Sequence, residues 1–336
     1  MIISRTPLRI SFCGGGTDLP SFYREHGGAV LSMSIARYVY LSMHDYFGGE
    51  RYILKYSKLE TPDTVDMIQH RIIREVFRSK GISGVDFNSS ADVPAGTGLG
   101  SSSAFTVGLL NLCYAYQGSY VSRSALAAEA CDVEINRLGE PIGKQDQYGC
   151  SIGGMKLIRF HPDEGVTYEV VPLTLDMRHR LESNLVMLYM GGSRSASEIL
   201  ATQAKVIEQG GAAIDDLRAM AAQAEGLRGD IIHNIDAVGH YLHEGWMRKR
   251  RLASGISNAM IDDAYQKALD AGAIGGKLLG AGGSGFLLIY AVGEARDAVI
   301  AALPQYPAYS VRLDEIGTAI IYSDESSSLD RQRIIE

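Results

Sequence analysis

The sequence predicts an α+β protein in two parts, and three observations carry that expectation. Strand-like and helix-like segments follow one another in irregular order, without the strict alternation of a doubly wound sheet. The chain has 336 residues, enough for two domains of ordinary size. A polar, proline-containing stretch at residues 171–184, VPLTLDMRHRLESN, has the character of a boundary. It divides the chain into residues 1–178 and 179–336.

The first 60 residues read as strands. MIISRTPLRISF ends in the turn Gly14-Gly15-Gly16, and AVLSMSIARYVYLSMHDYF is a long alternating strand pair or one bent strand. MIQHRIIREVFRSKG carries Met67, Ile68, Ile72 and Val76 at helical spacing and closes on Gly81. GVDFNSSADVP is a strand leading into a glycine-serine loop, after which SSAFTVGLLNLCYAYQG is a helix with an apolar stripe. SRSALAAEACDVEINRLG opens on an N-cap serine and stops at Gly139. EPIGKQDQYGCSIGGM reads as turns, and KLIRF as a strand. The second part holds a strand at Leu185 to Tyr189, several helices, the strand GFLLIY, the helix EARDAVIAAL and a last strand TAIIY.

Composition excludes several classes of function. Hydrophobic content of 46% with 21% charged residues describes a folded globular chain. A net charge of −7 opposes nucleic acid or an anionic membrane as the main partner. Cys13, Cys113, Cys131 and Cys150 have no metal-ligand spacing and read as buried thiols of a reducing compartment. The N-terminus lacks the pattern of a signal peptide, and no apolar run reaches the roughly 18 residues of a membrane span. A cytoplasmic protein is expected.

The stretch VPAGTGLGSSSAF, Val93 to Phe105, raises the chemical question. Glycines let backbone N–H groups converge, and a helix start adds unpaired donors with partial positive charge, so a glycine-rich loop opening a helix suits an anion. Gly96, Gly98 and Gly100 run into Ser101, Ser102 and Ser103, whose hydroxyls suit phosphate or Mg²⁺. A tight turn with a serine cap needs only one of each. The P-loop pattern GxxxxGK[ST] is absent from the sequence. A second loop, GAGGSG at Gly280 to Gly285, matches GxGxxG, but a strand follows it where a dinucleotide fold needs a helix. It reads as a loop built for close backbone approach, packed near the first.

Taken with their neighbours, these loops resemble the motifs of the GHMP kinases, the superfamily of galactokinase, homoserine kinase, mevalonate kinase and phosphomevalonate kinase. PLRISFCGGGTDLP (Pro7 to Pro20), PAGTGLGSSSA (Pro94 to Ala104) and GGKLLGAGGSGFLL (Gly275 to Leu288) are similar to its three motifs, in the right order. GGGTDLP, GKQDQYG, GGSRSASEIL and HEGWMRKRRL resemble bacterial D-glycero-D-manno-heptose 7-phosphate kinases. The resemblance implies a two-domain GHMP kinase fold: an N-terminal domain like domain 2 of ribosomal protein S5, and a ferredoxin-like C-terminal domain. It also implies ATP and Mg²⁺, a sugar phosphate as acceptor, and phosphorylation of an anomeric hydroxyl on the way to nucleotide-linked heptose and surface polysaccharide. Neither nucleic acid nor a membrane is implied as partner, and a homodimer stays open. The rivals are a kinase for galactose, fucose or a uronic acid, and a catalytically idle nucleotide-binding regulator.

Residue by residue, the resemblance places the nucleotide on Pro94, Gly96, Gly98, Leu99, Gly100, Ser101, Ser102, Ser103, Gly280 and Gly282. It makes Asp146 the carboxylate facing the acceptor hydroxyl and Arg9 the cation that keeps it ionised. Ser102 and Glu134 fall at the Mg²⁺ positions, with Ser101 and Ser103 as alternatives to Ser102. Gly15, Gly16, Thr17 and Asp18 form the sugar loop. There the glutamate-histidine pair of galactokinase is replaced by two glycines, which leaves room for a bulkier sugar; a helix-capping role for Asp18 is the alternative. Ser193 and Arg194 are the expected contacts to an acceptor phosphate. The run Arg248, Lys249, Arg250, Arg251 is the second candidate, although such a run is usually a solvated face.

Overall fold

The computed structural model describes residues 1–192 and 196–324. In chain order the first half comprises β1 (Ile2–Cys13), α1 (Pro20–His26), β2 (Gly28–Asp45), β3 (Ile53–Lys55), β4 (Leu59–Glu60), α2 (Arg71–Lys80) and β5 (Val85–Ala91). It continues with α3 (Ser101–Tyr116), α4 (Arg123–Cys131), a wide helical turn at Asp132–Arg137, α5 (Gln145–Ser151), β6 (Met155–Phe160) and β7 (Val166–Val170). The second half opens with α6 (Leu175–Asn184), β8 (Leu185–Tyr189), α7 (Ala196–Glu208), α8 (Ala212–Asp230), α9 (Ala237–Leu252) and α10 (Ala259–Asp270). It ends with β9 (Gly275–Leu278), β10 (Phe286–Tyr290), α11 (Glu294–Ala302), β11 (Ala308–Ser310) and β12 (Ala319–Ser323).

Two sheets result, in agreement with an α+β class. The first has eight strands in the order β12-β1-β2-β5-β3-β4, with β6 and β7 joining at β2. The long β2 makes this branching possible. Its Gly28–Met33 half pairs with β6, its Val39–Asp45 half pairs with β5, and β1 runs along both. The segment expected as a strand pair or one bent strand is thus a single strand of 18 residues. The second sheet is antiparallel in the order β11-β8-β10-β9, which reads fourth, first, third, second along that part of the chain. That is the ferredoxin-like order, with extra helices inserted between its first two strands.

The core lies between the first sheet and α3. This helix packs on β1 and β2 with α2, α4 and α5 around it. Residues on nearly all its faces are buried, from Ser103 and Ala104 to Leu112 and Cys113. It is therefore a central helix, more enclosed than a one-sided apolar stripe implies. Each buried leucine there contributes roughly 1.5–3 kcal/mol. All four cysteines are free and buried, as expected. No helix among the described residues is long and apolar enough to cross a membrane.

Two local expectations need correction. Pro20–His26, read within an all-strand region, is a helix of seven residues: Pro20 begins it, and Phe22 and Tyr23 are buried. Residues 140–155, read as turns, contain α5, although glycine, serine and cysteine are weak helix formers. Tertiary packing overrides propensity here. Gln147 to Ser151 are buried, and the enclosed Lys156 ammonium donates to the carbonyls of Gly149 (3.0 Å) and Ile152 at the helix end. The last strand, β12, belongs to the first sheet, where it pairs with β1 although it lies in the second part of the sequence.

Candidate active site

The two glycine loops meet at the junction of the two sheets. Between β5 and α3 the chain turns through Gly96, Gly98 and Gly100, with φ of 77°, 83° and 76°. Only glycine adopts this left-handed backbone readily. Close approach adds a second requirement. A Cβ on Gly98 would stand 2.5 Å from the Leu279 carbonyl oxygen, and one on Gly280 would stand 2.4 Å from Gly98 Cα. The loops lie back to back, as the sequence suggested, and Gly96, Gly98, Gly100, Gly280 and Gly282 line one cleft with Ser101, Ser102 and Ser103.

Arg9 projects from β1 beneath the first loop. Its Nη1 donates to the Gly98 carbonyl at 2.7 Å, while its backbone N–H donates to the Leu99 carbonyl at 3.0 Å. Nε and Nη2 both reach Asp146 Oδ1, at 2.8 and 2.6 Å. Asp146 lies in the first turn of α5, its side chain 27% exposed to the cleft. Burial opposes the charge on Arg9, but Asp146, with Cys150 and Asp18 adding to it, holds the guanidinium above its ordinary range.

Asp18 continues this floor. Its Oδ1 accepts from Gly16 N (3.0 Å) and Gln145 Nε2 (3.1 Å), and its Oδ2 from Gln145 N (3.2 Å). Leu19 is the N-cap of α1 and that helix has no side-chain cap, so Asp18 does not cap it. It ties the glycine turn to α5 instead. Burial raises its carboxyl pKa, the nearby Asp146 raises it further, and the backbone donors offset part of the rise.

Glu134 sits in the wide turn after α4, 1% exposed. It accepts from Ser102 Oγ (3.1 Å), Ser103 Oγ (2.8 Å) and Gln147 Nε2 (2.6 Å). Burial pushes its pKa up and these three donors pull it back. The structure therefore brings Ser102 and Glu134 together, 32 positions apart in sequence.

Some expected residues play another part. Thr17 is fully buried, and its hydroxyl is spent on Gly14 O (2.8 Å) and Ala29 O (3.0 Å), so it shapes the sugar loop without reaching the cleft. Pro94 is exposed outside the cleft and Leu99 is buried beneath it; both set the course of the loop and neither lines the cleft. Ser193 and Arg194 lie outside the described residues.

Other residues at the site were named only within a longer run or motif, or not at all. Lys249, expected within a solvated run, is 5% exposed and lines the cleft, while Arg248 and Arg251 pair with Asp216 and Arg250 with Asp262. Its signal was available, since Lys249 shares a helical face with Leu242 and Trp246. Gln203 likewise falls between Ile199 and Ile207 at intervals of four residues and is buried with them. A polar residue on an apolar stripe marks a site more sharply than a charge run does. Gln145 sits in a quoted motif, and Lys277 is buried with its Nζ 3.3 Å from Ser11 Oγ.

The N-terminal model of the GHMP kinases matches residues 67–154, and their C-terminal model matches residues 214–306. A D-glycero-alpha-D-manno-heptose 7-phosphate kinase of Campylobacter jejuni is 25% identical over 324 residues, spanning 92% of this chain and 94% of that protein. A bifunctional fucokinase/GDP-fucose pyrophosphorylase of Arabidopsis thaliana is 27% identical over 85% of this chain, a match to 29% of that longer protein. Among solved structures, a D-glycero-D-manno-heptose 1-phosphate kinase from Bacteroides thetaiotaomicron superposes with a TM-score of 0.79 at 21% identity, covering 96% of this chain and 100% of its own. That likeness concerns the fold. Because the two family models together span more than half of its length, the chain belongs to the GHMP kinases and is an ATP-dependent kinase acting on a hydroxyl group.

Proposed function

We propose that the chain transfers the γ-phosphoryl group of ATP to the anomeric (C1) hydroxyl of D-glycero-D-manno-heptose 7-phosphate, giving the 1,7-bisphosphate and ADP. The observation that carries this reading is the match to the Campylobacter jejuni heptose 7-phosphate kinase across nearly the full length of both chains.

In this reading the backbone of Gly96 to Gly100 and the first turn of α3 cradle the ATP phosphates. The acceptor lies over Gly15, Gly16 and Asp18 with its C1 hydroxyl toward Asp146. Family likeness alone assigns Ser193 and Arg194 to acceptor binding. Asp146 Oδ1 is occupied by Arg9, which leaves Oδ2 to orient the hydroxyl and accept its proton. The acceptor oxygen forms its bond to the γ-phosphorus as the bond to the bridging oxygen breaks, and ADP departs with that electron pair. Arg9, tied to Gly98 as well as to Asp146, couples the base to the phosphate loop and offsets charge developing there.

The residues present fit Mg²⁺. Ser102 and Glu134 supply hard oxygen donors, and the buried Gln147 Oε1 beside them has no partner among the described residues. Mg²⁺ held by Ser102 and Glu134 would neutralise charge on the ATP phosphates.

The test is a panel of sugars and sugar phosphates with Mg-ATP, read as ADP release. Heptose 7-phosphate is expected to have the highest kcat/KM. Preference for fucose, galactose or a uronic acid would replace the acceptor. A folded protein that binds ATP and turns over no acceptor would be a regulator.

A further inference from the structure

Two buried donors in the cleft stand against the Gly15-Gly16 turn. One is Gln203, on α7: it is 1% exposed, and its Nε2 has no hydrogen-bond partner among the described residues. A Cβ on Gly16 would lie 2.4 Å from that nitrogen. The other is Lys249, on α9, whose Nζ would be 3.6 Å from a Cβ on Gly15. Its hydrogen bond among the described residues goes to the Gly280 carbonyl, at 2.5 Å. An ammonium has three donors, so two are uncommitted. A buried amide without a partner and an enclosed ammonium without a carboxylate are both costly in an empty cleft.

Lys249 shares the cleft with Arg9, Asp18 and Asp146; the two carboxylates favour its charge and Arg9 opposes it. Asp18 is already bonded to Gly16 and Gln145.

We propose that Lys249 Nζ and Gln203 Nε2 bind the phosphate monoester carried by the acceptor sugar, above the Gly15-Gly16 turn. This assignment rests on the acceptor being a sugar phosphate. Gly16 lets α7 approach the turn this closely; a Cβ there would also stand 3.3 Å from Leu217 Cδ2. The two donors come from helices of the second half of the chain and the turn from the first, so the phosphate bridges both halves. A tetrahedral dianion offers three oxygens to donors arriving from different directions, and charge-assisted bonds to it are the strong kind.

The test compares kcat/KM for heptose 7-phosphate and for the dephosphorylated heptose in the wild-type chain, Lys249→Met and Gln203→Glu. Thermal unfolding and ATP KM report the integrity of each variant. The wild type is expected to prefer the phosphorylated acceptor. Lys249→Met should reduce that preference about 10- to 100-fold. Gln203→Glu keeps the shape and sets a negative charge against the phosphate, so KM for the phosphorylated acceptor should rise at least about tenfold. Equal losses on both acceptors in both variants would overturn the assignment and place these residues in sugar or nucleotide binding. Stronger use of a uronic acid than of any sugar phosphate would also overturn it, with the anion a carboxylate. The wild-type arm alone judges the acceptor reading: if the wild type ignores sugar phosphates, that reading falls and takes this site with it. If it uses them and the variants keep the preference, only the site falls.

Discussion

Arg9 grips Asp146 by one carboxylate oxygen only. Nε and Nη2 both contact Oδ1, and among the described residues no hydrogen bond or ion pair engages Oδ2. The guanidinium is 4% exposed and anchored to the phosphate loop through Gly98, so it fixes the carboxylate while one oxygen still faces the cleft. Asp146→Asn keeps the shape and removes the base. It should lower kcat by about 10²-fold or more and leave ATP affinity near the wild-type value. Steady-state kinetics with a separate ATP-binding measurement checks this, and an unchanged kcat in the folded variant removes Asp146 from the chemistry.

The contact between the two glycine loops makes Gly98 sensitive. A valine there needs a left-handed backbone and drives its Cβ into the Leu279 carbonyl, 2.5 Å away. Gly98→Val should weaken Mg-ATP binding by at least about tenfold while the core under α3 persists. Calorimetric titration with a non-hydrolysable ATP analogue reads the outcome. Binding as tight as in the parent chain would mean that the loop does not hold the nucleotide.

Glu134 is held by three side-chain donors and lies beside Gln147 Oε1, which has no partner among the described residues. Glu134→Gln removes the negative charge at nearly constant volume. The Mg²⁺ concentration giving half-maximal rate should rise by about tenfold, with a smaller change in maximal rate at saturating metal. A parallel titration of wild type and variant decides the point. Identical Mg²⁺ curves would assign Glu134 a structural role in joining α3 to α5.

Burial lowers the pKa of Lys249 to about 8; Asp18 and Asp146 pull it up and Arg9 pushes it down. The ammonium is the form that binds a dianion, and a phosphate monoester keeps its charge above pH of about 7. KM for the sugar phosphate should therefore be flat between pH of about 7 and about 8 and climb above it. The bend near pH 8 should vanish in Lys249→Met. Stability moves the other way. The folded pKa lies below the unfolded value of 10.5, so the unfolded chain binds more protons between these limits. The cost to folding is complete below pH of about 8 and fades as pH rises toward 10.5. Lys249→Met should consequently melt higher than wild type at pH 7, and a lower melting temperature would contradict this.

Much of the site was legible because its motifs are local. The glycine-serine loop, the GGGTD turn and the second glycine loop each announce an unusual backbone within a few residues, and all three meet in one cleft. The helix bearing Asp146 was not legible. Its seven residues are too short to display a period, and its composition argues for turns, so packing against α3 and α4 and the Lys156 cap make it helical. Lys249 was named only as one of four candidate cations. Four cations in a row look like a solvated face, and only the helical phase set by Leu242 and Trp246 separates the buried one from the others. The return of β12 to pair with β1 is a contact between the two ends of the chain, and no local pattern encodes it.

The central claim is phosphoryl transfer to the anomeric oxygen of a heptose already phosphorylated at its far end. The most direct measurement is ³¹P NMR of the product formed from heptose 7-phosphate and Mg-ATP, with proton coupling retained. Transfer to C1 should give a new monoester signal coupled to the anomeric proton, an undisturbed 7-phosphate signal, and loss of the reducing end in proportion to ADP. A new phosphate on any other carbon, or ADP release with the reducing end intact, would contradict the account.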